Sequence, residues 1–435
     1  MRLIFTGRRK SGRVDREAVE TAVRLALHRA GAAALTELLQ FPAPAGDQRQ
    51  MLCRCGQSAR YRGLRSRPLL TAPVPPEVSR PYYLCPHFHT GQFPADVKLD
   101  IEDTEFSPGV RRMQAVVGQG IPFEHDRRQM EVLAGLEVNA KSVEGIAEAV
   151  GEDIARWEVA EIGRAVQLDL PVVLAEPVPV LCVEMDGTGV PVVKKETLGR
   201  KGRQEGEPAH TRAAKLGCVF TQTRWDEKGY AIRDPASTTY VGAIEAIEEF
   251  GKQLYVKAWK RGWSRVQKKV VLGDGAERAW NLVQQHFPGA IQIVDLARAR
   301  QHLWDQARKL HPNDEATQKR WIRVQKNRLD KGKIEKLVPE LRVIRTCNPE
   351  LAEELRKQTE YFQTNAERMG YPRFRDQHLF VGSGVIEAGG KSVIGARLKR
   401  SGMFWAVRGA HAILALHCCQ LDGRFEDYWE TRRVA

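Results

Sequence analysis

Two apolar runs in this chain end in the same way, and that repetition limits what the chain can fold into. Val180-Leu181-Cys182-Val183-Glu184-Met185 leads into Asp186-Gly187-Thr188-Gly189, and Lys269-Val270-Val271-Leu272-Gly273 leads into Asp274-Gly275. Short apolar runs bounded by glycine read as buried strands, and Gly beside Asp lets the backbone bend next to the carboxylate. The pattern predicts an α/β sheet in which Asp186 and Asp274 each sit in a glycine turn at the C-terminal end of a strand. That is where open α/β sheets build their sites. Either Asp-Gly alone is an ordinary turn. Two of them, 88 residues apart (274 − 186), point to one shared site.

A third carboxylate, Glu387, lies in Gly382-Ser383-Gly384-Val385-Ile386-Glu387-Ala388-Gly389-Gly390-Lys391, ahead of Val393, Ile394 and Leu398. Helical spacing predicts Glu387, Lys391, Ile394 and Leu398 along one side of a helix. Gly389 and Gly390 each cost such a helix about 1 kcal/mol relative to Ala, which predicts the close approach of a backbone or a phosphate there. On its own, Glu387 is a helix-start carboxylate of the kind the macrodipole favours. Three carboxylates from two strands and a helix suit Mg²⁺, which prefers oxygen ligands and keeps waters. Two such ions about 3.5–4 Å apart activate a water or a 3′-hydroxyl and stabilise the leaving oxygen in phosphodiester chemistry. Lys391, Arg397, Lys399, Arg400 and Arg408 are close in sequence to Glu387, which fits a phosphate substrate.

The chain has 435 residues, with 68 Lys+Arg against 54 Asp+Glu, a surplus of 68 − 54 = +14. That length allows about three domains at ~150 residues each. With 42% hydrophobic and 28% charged residues the composition is globular, which excludes collagen-like and wholly disordered classes. The most apolar stretch, 170–185, is broken by Pro171, Glu176, Pro177, Pro179 and Glu184 and cannot span a bilayer. Residues 1–13 are basic but lack the apolar core of a secretory signal. Together with eight scattered cysteines, this predicts reduced thiols and a cytoplasmic protein without a membrane partner. The basic surplus points to a polyanion, most often nucleic acid, or to solubility alone. No Gly-rich Lys-Ser/Thr phosphate loop is present, which argues against a nucleotide-binding enzyme.

Residues 1–50 read as a helical region, with Val19, Val23, Leu25 and Leu27 set among Arg and Glu and with Pro42, Pro44 and Gly46 ending it. Residues 51–97 change character. Cys53-Arg54-Cys55-Gly56 stands 30 residues (85 − 55) before Cys85-Pro86-His87-Phe88-His89. Thiolate pairs across a turn-rich stretch make a zinc ribbon. The second pair has Phe88 where a Cys is needed, so His87 or His89 would supply the fourth ligand, as imidazole is a good zinc donor. The expected structural Zn²⁺ set is Cys53, Cys55, Cys85 and His89; the competing expectation is a metal-free ribbon held by Tyr82, Tyr83 and Phe93. Residues 98–175 read as helical. Within them Lys141–Ile154 fits helix, glycine turn, helix, with Ser142 as N-cap and Ile146, Val150 and Ile154 at helical spacing. DNA readers share this pattern with ordinary helix hairpins.

On these residues the chain resembles the DDE transposases of bacterial insertion sequences, in the ISKra-type branch. The blocks that carry the resemblance are MDGTGVP at 185–191, GRKG at 199–202, KLGCVFTQT at 215–223 and RDPASTTYVGAIE at 233–245. They continue with VVLGDGAERAWN at 270–281, FPGAIQIVDLARARQHLW at 287–304 and GSGVIEAGGKSVIGARLKRSGMFWAVRGAHAILAL at 382–416. The resemblance implies an RNase H-like α/β domain over 176–435, a mixed sheet flanked by helices with a helical insertion at about 297–378. It implies that Asp186, Asp274 and Glu387 are the catalytic triad, holding two Mg²⁺ ions for which Mn²⁺ substitutes. The activity implied is cleavage and strand transfer at the ends of an insertion sequence. The implied partner is DNA, both element ends and target, bound by a homodimer or larger assembly at the nucleoid. The ribbon and helical N-terminal parts are then expected to help bind the element ends. The chain departs from the branch at Ala297-Arg298, where a Tyr-His pair is usual. It also departs at Arg278 for an aromatic, Phe88 for the last ribbon Cys and Gly390 for a common Cys.

Residues 298–336 carry twelve Lys/Arg and five Asp/Glu, a surplus of seven. As part of the insertion they predict sequence-independent phosphate contacts. Arg298 and Arg300 thus join Lys391, Arg397, Lys399 and Arg400 as expected DNA-binding residues. Trp304 and Trp321 are either core or stacking platforms for unpaired bases. The departures support a second reading, a catalytically silent DNA-binding protein descended from a transposase. A third is a structure-specific nuclease with the same core.

Overall fold

The computed structural model describes residues 9–10, 13–73, 75–166, 178–202 and 209–432. Residues 1–8 of the basic start and 170–177 of the apolar stretch lie outside the described residues. The chain divides into two compact units, Met1–Ala147 with Trp429–Ala435, and Glu148–Tyr428.

In the first unit, helix α1 (Arg16–Leu38) starts where the Asp15 carboxylate accepts the Ala18 amide at 3.1 Å, and it stops before Pro42. Its Val23, Leu25 and Leu27 are exposed rather than packed. An antiparallel sheet follows in chain order, β1 (Gln50–Leu52), β2 (Ser58–Pro68), β3 (Glu77–Leu84) and β4 (Gly91–Gln92). Ala59, Val78 and Tyr83 are its buried side chains. Buried Arg80 pairs with Asp96 at 2.6 Å and lies over the Phe93 ring at 4.1 Å. Helix α2 (Pro108–Gly118) begins at Ser107, whose hydroxyl accepts the Val110 amide, with Pro108 at the first position, where a missing N–H costs nothing.

Residues Lys141–Ile154 form no helix-turn-helix. One helix, α3 (Ala140–Val166), runs through them. Asn139 caps it by accepting the Ser142 amide at 2.7 Å, so Ser142 is inside the helix rather than its cap. A mid-helix glycine weakens a helix by about 1 kcal/mol, too little to break one whose Val143, Ala147, Val150 and Ile154 are buried. At Gly151 a Cβ would overlap the Ala412 carbonyl, so this glycine marks a close approach and not a turn.

The second unit is built on five strands, β5 (Val180–Pro191), β6 (Thr211–Gln222), β7 (Thr239–Ala243), β8 (Lys268–Gly273) and β9 (Ile291–Val294). Their order is β7-β6-β5-β8-β9, with β7, β6 and β5 antiparallel and β5, β8 and β9 parallel. Val180–Met185 is buried throughout, as expected for a central strand covered on both faces. Parallel neighbours need a crossover, and α4 (Ile247–Lys260) and α5 (Glu277–His286) supply them before β8 and β9. Buried Lys257 on α4 is held by Glu158 at 2.7 Å and Asp422 at 2.8 Å. After β9 come α6 (Leu296–Leu310), α7 (Glu315–Asp330), α8 (Ile334–Val343), α9 (Pro349–Thr364) and a short helix, Tyr371–Asp376. The chain returns to the sheet with α10 (Gly384–Gly389), which continues as a π-helical turn, Gly390–Gly395, and a last turn, Ala396–Leu398. Helix α11 (Val407–Leu421) packs on β7. The architecture is α/β with a mixed sheet. Among the described residues no helix is long and apolar enough to cross a membrane.

Candidate functional site

Asp186 lies on β5 and Asp274 directly follows the parallel neighbour β8, but the two do not sit in similar turns. Strand β5 does not bend after Asp186. It continues to Pro191, paired with β6 from Val180↔Gln222 to Pro191↔Thr211. The long β6 partner supplies ladder hydrogen bonds that local sequence cannot reveal, and Gly189 is small because a Cβ there would press on the Thr211 side chain. Asp186 is therefore an exposed mid-strand residue, accepting its neighbour Gly187 amide at 2.7 Å. Asp274 does end its strand. The parallel register runs to Leu272↔Glu184, so Asp186 and Asp274 each lie two residues beyond the same pair, on the face that repeats every second residue of a strand.

The Asp274 turn is clamped from behind by α9. Asp274 Oδ1 accepts the Ala276 amide at 2.9 Å. The Tyr361 hydroxyl donates to the Asp274 carbonyl at 2.9 Å, and Asn365 Nδ2 donates to the Gly275 carbonyl at 3.0 Å. Gly275 has φ +89°, and a Cβ on it would lie 2.5 Å from the Tyr361 ring. His302 on α6 stacks on Tyr361 with centroids 4.0 Å apart, and its Nδ1 bonds Gln358 Oε1 at 2.6 Å. Burial holds the His302 imidazole below its ordinary pKa, against the opposing pull of Gln358. The histidine lies one helical turn beyond Arg298, on the wall behind Asp274.

Glu387 is exposed on α10, and two carboxylates that sequence reading did not single out tie its helix to the sheet. Fully buried Glu184 accepts the Ile386 amide through Oε2 at 2.8 Å. Buried Asp295, at the end of β9, accepts the Ser383 amide at 3.1 Å while also capping α6 through the Ala297 and Arg298 amides. Burial pushes the Glu184 carboxyl up to about 8, with Asp295 and Glu387 adding to the rise against the Ile386 N–H. Asp295 was legible in principle, since Ile291-Gln292-Ile293-Val294 is a third short strand ending in Asp.

Glu387, Lys391, Ile394 and Leu398 do not share one side. Glu387 and Lys391 are exposed while Ile394 and Leu398 are buried. The π-helical turn at Gly390–Gly395 shifts the phase. Gly389 does mark a close approach, but to the Tyr240 ring, where a Cβ would lie 2.5 Å away; Gly390 has open space.

The expected DNA-contacting residues divide. Lys399 bonds the Thr188 hydroxyl, two residues beyond Asp186 on β5, and Lys391 is exposed one turn beyond Glu387. Arg298 is exposed and Arg400 half-buried. Arg397 is fully buried over the Trp405 ring, 4.9 Å to the centroid, so it faces the core and not DNA. Arg300 is held bidentately by Asp330 at 2.9 and 2.7 Å, which leaves its fork-shaped donors occupied. Trp304 and Trp321 are both half-buried.

The donor set of Asp186, Asp274 and Glu387 is all oxygen, which suits Mg²⁺. Their oxygens do not all lie within 4.8 Å of one another, a spacing too wide for one ion with ~2.1 Å bonds to all three. The orphaned Glu184 Oε1 beside them, buried without a hydrogen-bond partner, marks the locality as over-supplied with acceptors.

In the first unit, Cys53, Cys55 and Cys85 do converge, with their sulfurs all within 4.8 Å of one another and Cys55 and Cys85 3.6 Å apart. The turn that presents Cys53 and Cys55 closes through Gly56 at φ +79°. The Phe88 amide lowers the Cys85 thiol despite its burial, while Cys55 is net raised by burial and the neighbouring thiols against the Gln57 amide. These three residues can hold a metal such as zinc. His89, the expected fourth ligand, lies outside this group, exposed and at φ +48°. Its backbone has turned over into the left-handed region after Pro86. The fourth side of the group carries Gln92, whose Nε2 donates to Cys53 Sγ at 2.9 Å.

No family model matches this chain, and no curated protein matches it. Among solved structures, the Drosophila P element transposase strand transfer complex is similar over 78% of this chain and 84% of that chain, at 9% identity and a TM-score of 0.24. A likeness that slight bears on neither fold nor activity.

Proposed function

We propose that this chain is a DNA transposase that cleaves and joins phosphodiester bonds at the ends of an insertion sequence. Asp186, Asp274 and Glu387 are its catalytic, metal-holding residues, and the mixed five-stranded sheet is read as RNase H-like. The observation that carries the proposal is the register of β5 and β8, which leaves Asp186 and Asp274 each two residues past the pair Glu184↔Leu272, together with the tie of the Glu387 helix to that same strand. Divalent ions bound there would supply an activated oxygen nucleophile and charge stabilisation at the leaving oxygen. The protein's part is to orient: Tyr361 and Asn365 fix the Asp274 backbone, and Lys399 and Lys391 offer cations to the phosphates of bound DNA. The basic residues Arg298 and Arg400 extend that path. Zinc at Cys53, Cys55 and Cys85 would be structural.

The test is Asp274→Ala in a cleavage and strand-transfer assay with Mg²⁺ or Mn²⁺ on linear DNA carrying the element ends. We expect cleavage and joining to be abolished while DNA affinity stays within about twofold, since the phosphate contacts that dominate affinity are elsewhere. Undiminished cleavage by the variant overturns the proposal. Wild-type binding without nicking under either metal favours a catalytically silent DNA-binding protein, and cleavage without joined products favours a nuclease.

A further inference from the structure

Beyond its bond to the Glu387 helix, Glu184 has no stated role in the reading above, yet it is the least expected side chain in β5. It lies two residues before Asp186, on the same face of the strand. It is fully buried in a run that is otherwise apolar, and the charges that bear on it, Asp295 and Glu387, are both acidic. A leucine would fill that place without desolvating a carboxylate. One oxygen has no hydrogen-bond partner; the other accepts the Ile386 amide at 2.8 Å. Ile386 is the third residue of α10, whose amide an N-cap side chain ordinarily takes. Ser383 stands at that cap and makes no such bond. Glu184 supplies it from 202 residues away in the chain. The bond therefore joins the strand that carries Asp186 to the residue adjoining Glu387.

We propose that Glu184 is a positioning residue that caps α10 from the sheet and so sets Glu387 relative to Asp186. The inference rests on the reading of Asp186, Asp274 and Glu387 as a metal-holding set. Two variants separate reach from the carboxyl group itself. Glu184→Gln keeps an accepting oxygen at the same reach and loses the titratable carboxyl. Glu184→Asp keeps the carboxyl and is one methylene short of the Ile386 amide.

The experiment titrates the full chain with Mn²⁺ by calorimetry for wild type, E184Q, E184D and D274A, with melting curves alongside. We expect E184Q to bind Mn²⁺ within about twofold of wild type and E184D to bind about tenfold more weakly, as loss of a residue that orients a ligand does. Amide exchange across residues 384–389 should quicken in E184D and not in E184Q. An E184D that titrates like wild type, or an E184Q weakened as much as E184D, overturns the inference. If E184D does not fold, E184L takes its place, since it fills the volume and lacks an acceptor. If wild type and D274A bind Mn²⁺ alike, the metal-site reading fails, and the exchange comparison still decides whether Glu184 holds the helix.

Discussion

Gly275 shows how a single position can be both strained and necessary. Its φ of +89° suits glycine, and the Tyr361 ring occupies the space a Cβ would need. Gly275→Ala should therefore destabilise the protein by about 1–3 kcal/mol, read as a lower urea midpoint at unchanged slope; an unshifted midpoint would show that the turn tolerates a side chain. The glycine and its Asp274 were legible in the sequence because the signal is local, an apolar strand followed by Asp-Gly. The residues that hold them were not. Tyr361 lies 87 residues from Asp274, Asp295 lies 88 residues from Ser383, and Glu184 lies 202 from Ile386. No spacing rule connects a buried carboxylate to an amide at such separations.

Elements were legible to different degrees, for reasons of packing. The β8 strand with Asp274 at its end follows from a run of apolar residues closed by glycine. The length of β5 does not, because its second half exists only through pairing with β6. Helix α3 reads as two helices from its glycines, and is one because Val143, Ala147, Val150 and Ile154 are buried across both glycines and Gly151 admits a neighbouring backbone. The phase shift after Glu387 is likewise invisible to a count of 3.6 residues per turn. For the ribbon, the convergence of three thiols leads to a direct expectation: the chain purified without chelator carries one zinc per molecule by elemental analysis. Cys85→Ser should lose that zinc and lower the melting temperature of the first unit. A wild-type chain free of zinc with the same melting temperature would leave the ribbon held by Tyr83 and its neighbours alone.

For the whole molecule, ion pairing leaves the +14 net charge unchanged and decides which basic residues stand beside a carboxylate. Of the twelve basic residues in 298–336, Arg300, Arg308, Lys309, Lys319 and Arg328 stand in ion pairs with acidic residues of the same helical region. Exposed pairs of this kind add at most about 1 kcal/mol each, so their main effect is to neutralise the surface. Global stability should also depend on pH through His411, on α11. Its Nδ1 accepts the Ile244 amide at 3.1 Å, and burial lowers its pKa against the opposing pull of Glu158 and Glu152. A histidine whose folded pKa lies below its unfolded value of about 6.5 contributes stability above that pH and loses it as pH falls further. The melting temperature should fall from pH 7 to pH 5. His411→Asn, which keeps an accepting atom near the Nδ1 position and cannot be protonated, should flatten that fall; an unchanged slope would assign the acid sensitivity elsewhere.

The sequence by itself determined the apolar strand runs that lead to Asp186 and Asp274, the Asp-Gly end of the second, the late glutamate and the three thiols, because each is written in neighbouring residues whose backbone preferences act locally. Tertiary structure alone decided the register of the strands that lead to Asp186 and Asp274, which arginines are buried, that His89 lies outside the thiol group, and that Glu184 and Asp295 bond the Glu387 helix. Those outcomes depend on strand register and on hydrogen bonds between distant segments. The physical reason is that a buried polar group must find a partner, and where that partner lies along the chain is set by the fold.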